Sequence, residues 1–446
     1  MARAETDSKS RSKMPPSLWQ PPLSYHGGHI NSTSSSICLV LSKNQSPTDM
    51  AMRPLTLLLL LSSSVSMSTL IAAEDDDQAA LLAFKAAAGH NDGGTLASWN
   101  SSSTGGFCSW EGVTCDDGRH RRVVALRLPS RGLTGVLSPA IGNLSFLKTL
   151  NLSNNRFGGD VPASLGHLRC LETLDLSNVF SGELPSNLSS CTNLKVMILA
   201  YNQLSGCVPP DLGDKLTRLW FLNLENNSLS GVVPESLANL SLLTVMPLGL
   251  NQFEGTITPG LGRVLSLRQL TLAFNRLLGE PPASLYNLSS LERLQSQGNM
   301  LHGGILNGIG SRFPRMQILS LAENQFTGTI PASLPNHTAL EWLDLSENRF
   351  SGYVPSALGR LRALESLNLR VNRLQADNTV VWEFITSLSN CSQLKELLQS
   401  QQCSHWAASK FNSESLNGPR SYTLGWHWDL RKHPLRHWQS SQPQLT

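Results

Sequence analysis

Net charge is what this chain conspicuously lacks. Its 35 Lys and Arg nearly cancel 32 Asp and Glu, and charged residues are only 15% of the whole. So weak a field leaves no electrostatic footprint for nucleic acid, and no nucleic-acid partner is expected. Cysteine is sparse too: eight in 446 residues cannot knit a disulfide-built scaffold, so each pair is judged where it sits. Long apolar runs are missing. The best, Leu55–Leu61 with Val65, is interrupted by Ser62, Ser63 and Ser64, whereas a membrane helix needs about 20 apolar residues, so no span is expected. Catalytic motifs are missing as well. There is no Gly-x-Ser-x-Gly elbow and no Gly-rich phosphate loop between a strand and a helix. His427-Trp428-Asp429-Leu430 lacks the Arg and the downstream Asn of a kinase catalytic loop. His405, His427, His433 and His437 have no regular ligand spacing. Neither enzyme activity nor a cofactor nor a metal is expected.

What the chain has is a period. Unit starts at Val123, Leu147, Leu171, Leu194, Leu219, Leu243, Leu267, Leu291, Met316, Leu340 and Leu364 differ by 24, 24, 23, 25, 24, 24, 24, 25, 24 and 24. Each unit reads LxxLxLxxNxLxGxIP, as in Leu340–Pro355. The alternation of Leu343 and Leu345 predicts a short strand with leucines inward and the intervening residues outward. Stacked units then form one parallel sheet, so the fold class is an α/β solenoid, and length gives no domain count, because a solenoid grows by adding units. The ninth position holds Asn155, Asn202, Asn227, Asn251, Asn275, Asn299, Asn324, Asn348 and Asn372. A buried amide there can bond the backbone where the strand turns away. Glycine at the thirteenth position, Gly352 for example, permits a turn that a Cβ would obstruct. Two units depart. Unit 171–193 is one residue short, with Val179 where the ladder Asn belongs, and unit 291–315 has Ser296 for an inward leucine. The unit after Leu364 carries an insertion, Asp377–Phe384, before a partial unit at Leu394.

The flanks divide as follows. Residues 1–51 are rich in Ser, Pro and basic side chains without periodicity and read as disordered or as a non-native extension. Residues 52–73 read as an export signal: Met52-Arg53, an apolar run, then Ile71-Ala72-Ala73 before Glu74–Asp77, with cleavage expected after Ala73. Residues 74–118 read as a cap, with Ala80, Leu81, Phe84 and Ala88 at helical spacing followed by Trp99 and Trp110. A solenoid needs such a unit to cover its open apolar edge. Cys108 and Cys115, seven apart in a loop-rich stretch of an exported chain, are expected to form a disulfide rather than stay as free thiols, and a second ligand pair for zinc is lacking. Cys170, Cys191 and Cys391 read as buried small apolar residues. Residues 119–398 hold the repeats. In 399–446 the period stops, and the aperiodic stretch reads as frameshifted or disordered.

Gly231-Val232-Val233-Pro234, Gly328-Thr329-Ile330-Pro331 and Gly352-Tyr353-Val354-Pro355, following the leucine pattern, resemble the plant-type leucine-rich repeat. The cap, with Ala79–Phe84, Trp99 and Cys108-Ser109-Trp110-Glu111-Gly112-Val113-Thr114-Cys115, resembles that of plant leucine-rich repeat receptor kinases. Within that family the chain is most similar to the immune-receptor group of the flagellin receptor and the rice bacterial-blight resistance receptor. The resemblance covers the ectodomain only. It implies a right-handed superhelix with a parallel concave sheet, a peptide or protein ligand, a co-receptor of the same repeat class, and a secreted or apoplastic, cell-surface-associated location, full-length relatives being in the plasma membrane.

Outward positions of the middle and later units then define the expected binding face: Tyr201, Phe221, Leu250, Phe274, Arg293, Gln295, Gln297, Glu323, Trp342, Glu347 and Arg370. Aromatics beside Arg, Gln and Glu supply anchors and register. Glycosylation sequons are Asn100, Asn143, Asn151, Asn187, Asn226, Asn239, Asn287, Asn336 and Asn390. Four of them, Asn143, Asn239, Asn287 and Asn336, share the twenty-first position of their units, where sugars leave the sheet clear, whereas Asn151 and Asn226 fall on the concave side. The function expected is an extracellular recognition module, a truncated receptor-like protein of plant defence or development. The alternatives are a secreted inhibitor or decoy resembling the polygalacturonase-inhibiting proteins, and a non-functional gene fragment.

Overall fold

The computed structural model describes residues 65–89, 94, 96–100, 106–117, 121–336, 339–375 and 378–398. The expected extension 1–51, the first part of the export signal and the tail 399–446 lie outside the described residues. The α-helix Val65–Ala87 runs through the expected cleavage point at Ala73 into the cap.

Period-2 alternation gives the strands, and stacking gives the sheet. Thirteen strands are hydrogen-bonded in sequence order. The first, Val113–Cys115, comes from the cap and pairs antiparallel with Val123–Arg127. The rest are parallel, one per unit, ending at Glu396–Leu398. In-register pairing places Leu319, Leu343 and Leu367 side by side, so inward leucines fall in columns. Leu343 and Leu345 are both fully buried, and each contributes about 2 kcal/mol by leaving water. In six successive units the chain adds, after the turn, to a second, six-stranded parallel sheet on the flank, from Ser205–Gly206 to Gln325–Phe326. It then returns through a single 3₁₀ turn such as Ser356–Arg360. Gly352, at φ 74°, ends the short flank strand Ser351–Gly352 where the chain turns toward the return. A Cβ there would sit 2.9 Å from Thr329 Cγ2, on top of the strain of a left-handed backbone.

The asparagine ladder has the expected chemistry. Asn348 Nδ2 donates to the carbonyls of Leu321, Leu345 and Ser346, while its Oδ1 accepts from the Phe326 amide. Each rung therefore bonds its own unit and the one before it. In the short unit the rung is Asn178, not Val179. Asn178 is buried, donates to Leu152 O and accepts from Asn155 N, while Val179 is exposed. The missing residue is the one preceding the Asn. Neighbouring units put a positive-φ residue there, such as Asn154 and Tyr201, and this unit has none. Ser296 is buried as expected of an inward position, its carbonyl taken by Asn299 and Asn324. The insertion after Leu374 forms an α-helix, Asn378–Leu388, in place of a 3₁₀ turn, and buries Phe384 and Leu388.

The cap closes the first edge with aromatics. Trp99 and Trp110 stack at 5.4 Å, and Phe84 bridges Trp99 to Phe157 of the first repeats, both at 5.7 Å. Cys108 and Cys115 are disulfide-bonded with Cα atoms 5.6 Å apart. Asp77, fully buried, accepts from Arg122 Nε and Nη2 and from the Val123 amide at 2.8 to 2.9 Å. The pair ties the cap helix to the first strand. Cys191 and Cys391 are buried as read from sequence, Cys170 only partly.

Candidate ligand-binding surface

Successive outward positions of each unit lie side by side across the concave sheet, because the strands are parallel and in register. The third, fifth and seventh residues of a unit line that face, and the eighth, at positive φ, forms its rim. Tyr201, Leu250, Phe274, Glu323 and Glu347 are rim residues with φ of 51° to 58°, three residues past the end of their strands rather than in them. Exposure also differs from the expectation of a uniformly exposed row. Tyr201 (42%), Leu250 (38%) and Glu347 are exposed. Phe274, Arg293, Glu323, Trp342 and Arg370 are half-buried, and Phe221, Gln295 and Gln297 are buried. Strands about 4.8 Å apart pack their outward side chains against one another. Gln295 Oε1 thus accepts from Thr271 Oγ1 in the neighbouring unit, and Arg293 Nε is buried without an acceptor among the described residues.

The face has two characters. In the units starting at Leu194, Leu219 and Leu243, Val196, Ile198, Ala200 and Phe221 make a small apolar cluster separate from the leucine core, with Trp220 and Val245 packed against it. The Trp220 and Phe221 rings meet edge to face at 5.6 Å. Farther along, the face is polar. Asp344 Oδ1 is held by Ser346 N and Oγ. Burial, then the nearby Glu347 and Asp344 charges, raises the Glu323 carboxyl above the usual range.

Glu225, absent from the expected set, is the most perturbed acid on this face. It occupies the seventh position of its unit, between Ala200 and Gly249 in the flanking units. Only 4% of it is exposed, its Oε1 has no hydrogen-bond partner among the described residues, and burial pushes its carboxyl up to about 7. A Cβ on Gly249 would lie 3.3 Å from that oxygen. The signal available in the sequence was the pair of small residues on either side of it.

Of the sequons, Asn143, Asn187, Asn239, Asn287, Asn336 and Asn390 are exposed at or just after the return turns, and Asn100 is exposed on the cap. Asn226 is exposed on the concave rim at φ 55°. Asn151 is half-buried in its strand, its Oδ1 taken by Ser153 N and Oγ.

This architecture has counterparts. Residues 119–391 match the model of the leucine-rich repeat region, and residues 74–116 that of the leucine-rich repeat N-terminal domain. The chain belongs to the leucine-rich repeat family. Its relatives include the receptor-like serine/threonine-protein kinase EFR of Arabidopsis thaliana, 60% identical over 68 residues, and the receptor kinase-like protein Xa21 of Oryza sativa subsp. japonica, 52% over 69. Those stretches are 15% of this leucine-rich repeat chain and 6% and 7% of the relatives. They bear out the resemblance to plant receptor kinases. Among solved structures it is similar to PEPR1-AtPEP1, at TM-score 0.57 and 30% identity over 73% of this chain and 55% of that one. It also resembles the Arabidopsis receptor kinase HAESA in complex with the peptide hormone IDA and the co-receptor SERK1, at 0.53 and 27% over 73% and 62%. The chain thus spans little more than half of those solved chains. A plant ice-binding protein aligns equally well, at 0.57 and 27% over 68% of this chain and 98% of that one. The coil alone therefore does not choose a function.

Proposed function

We propose that this leucine-rich repeat chain is an extracellular recognition module that binds an extended peptide or a protein segment on its concave face. The observation that carries the reading is the apolar cluster of Val196, Ile198, Ala200 and Phe221 on the side of the sheet away from the core. These side chains bury one another and form an apolar floor, beside which Tyr201 and Leu250 stand exposed on the rim, and a recognition face needs such anchors next to polar groups that set register. A face of ordered Thr and Ser would instead suit a structural or water-ordering role, and the outward residues here are mixed. The HAESA complex supports a peptide as the ligand class and a co-receptor as a second partner. The N-terminal cap match supports a location outside the cell. Binding, not catalysis, is the activity this face is built for.

The test is to secrete the chain from plant cells and pan it against a random dodecapeptide library, with a cell-wall polygalacturonase assayed in parallel for inhibition. Peptides that compete with one another and lose affinity on Trp342→Ala or Tyr201→Ser support a concave peptide site. Inhibition of the hydrolase without peptide selection would replace the reading with an inhibitor.

A further inference from the structure

Two features of the concave face, independent in chemistry, meet at one place. The first is the apolar cluster, with Ala200 at its edge, Trp220 and Val245 against it and Tyr201 exposed next to it on the rim. The second is Glu225, whose seventh-position slot in its unit adjoins that of Ala200 across the strand pair, with the Tyr201 amide donating to the Glu225 carbonyl at 2.9 Å. The Glu225 carboxyl is buried, one of its oxygens has no hydrogen-bond partner among the described residues, and no ion pair reaches it. A buried acceptor left empty is costly, so it is kept where something else fills it. The small residues Ala200 and Gly249 flank it at the same position, and the carboxyl lies over Gly249, where a Cβ would come within 3.3 Å of Oε1. At the third, fifth, seventh and eighth positions of the units starting at Leu194, Leu219 and Leu243, Glu225 is the one charged residue, which favours a cationic group on the ligand over an anionic one at that spot.

Resting on the peptide reading, we propose that this spot is the primary anchor of the concave site and takes a bulky apolar side chain of an extended peptide, with a Lys or Arg close by on the same peptide donating to Glu225. The slots of Ala200 and Glu225 are one strand spacing apart, about 4.8 Å, and same-face residues of an extended peptide repeat every ~6.8 Å, so the basic residue lies within two positions of the apolar one. Asn226, the sequon beside Glu225, stands on the rim between Tyr201 and Leu250, and a sugar there would cover the anchor.

Panning a random dodecapeptide library on the full chain, on Glu225→Gln and on Tyr201→Ser, each with and without Asn226→Gln, decides the matter. Wild-type winners are expected to carry Phe, Tyr, Trp, Leu or Ile with Lys or Arg within two positions. On Glu225→Gln the basic residue loses its enrichment while the apolar one keeps it, and a synthetic winner binds at least tenfold more weakly. Tyr201→Ser weakens the apolar preference instead. Enrichment appearing only with Asn226→Gln supports the anchor and shows that a sugar covers it. Winners without the pair, or the same winners at unchanged Kd on Glu225→Gln, overturn the anchor and leave the peptide reading intact. No enrichment on any variant overturns both. Secreted yield and thermal melts of the near-isosteric Glu225→Gln separate lost binding from lost folding.

Discussion

Trp342 and Leu343 are neighbours in one strand, yet the chain treats them by different rules. Leu343 is one of a column set by pairing with Leu319 and Leu367 and is fully buried. Trp342 faces the other way, half-buried against Ile318 and Ser366 in pairing register, and nothing in the coil requires an indole. The inner face of the sheet is thus fixed by packing, and the outer face is fixed only where something outside the coil uses it. Glu225 stands between these cases, outward by position and buried by surroundings.

Substitutions on the two faces sharpen or break that contrast. The largest effect is expected from Asn348→Ala. It takes the acceptor from the Phe326 amide and one of two donors from each of the carbonyls of Leu321, Leu345 and Ser346, at a cost of about 3–5 kcal/mol for one stranded donor and three lost bonds together. Chemical denaturation measures it, and a loss under ~1 kcal/mol would mean that water replaces the rung. Next comes Glu225→Gln. Its carboxyl rises from an ordinary 4.5 to about 7 in the fold, so the folded state binds its proton more tightly than the unfolded chain. The stability this gives is whole below pH 4.5 and is lost as pH climbs through 7. At pH 8 the wild type therefore bears up to about 3 kcal/mol that the Gln variant avoids, at ~1.4 kcal/mol per unit. Melting temperatures at pH 5 and pH 8 should converge in the variant. Equal pH slopes in both proteins would place the carboxyl in water. The smallest effect belongs to Trp342→Ala, which should move stability by less than ~1 kcal/mol while weakening any concave-face ligand. A stability loss as large as that of Leu343→Ala, ~2–5 kcal/mol, would erase the distinction between the faces.

The same contrast explains what the sequence disclosed. Strand, ladder, turn and return are repeated at a fixed spacing, so the coil, its cap and the Cys108–Cys115 bridge were legible before any coordinates. The short unit was misread because a one-residue deletion beside Asn178 can be placed on either side of it. Only the backbone shows that the positive-φ residue was lost and the rung kept. Outward position puts Phe221, Gln295 and Gln297 on the face without making them exposed. Side chains from strands a few ångströms apart instead cover one another, and periodicity carries no information on that crowding. Glu225 escaped notice for the same reason, being one polar residue among many at outward positions.

The rung geometry has a consequence for how the coil bears load. Because Asn348 holds both its own unit and the preceding one, Asn155 and Asn202 do the same at their heights, and Asn178 holds the preceding one, no unit can loosen without unfastening a neighbour. Stability then resides in the joints more than in the pieces. A pull applied through a bound ligand would be shared along many rungs, and the coil would answer as one stiff spring.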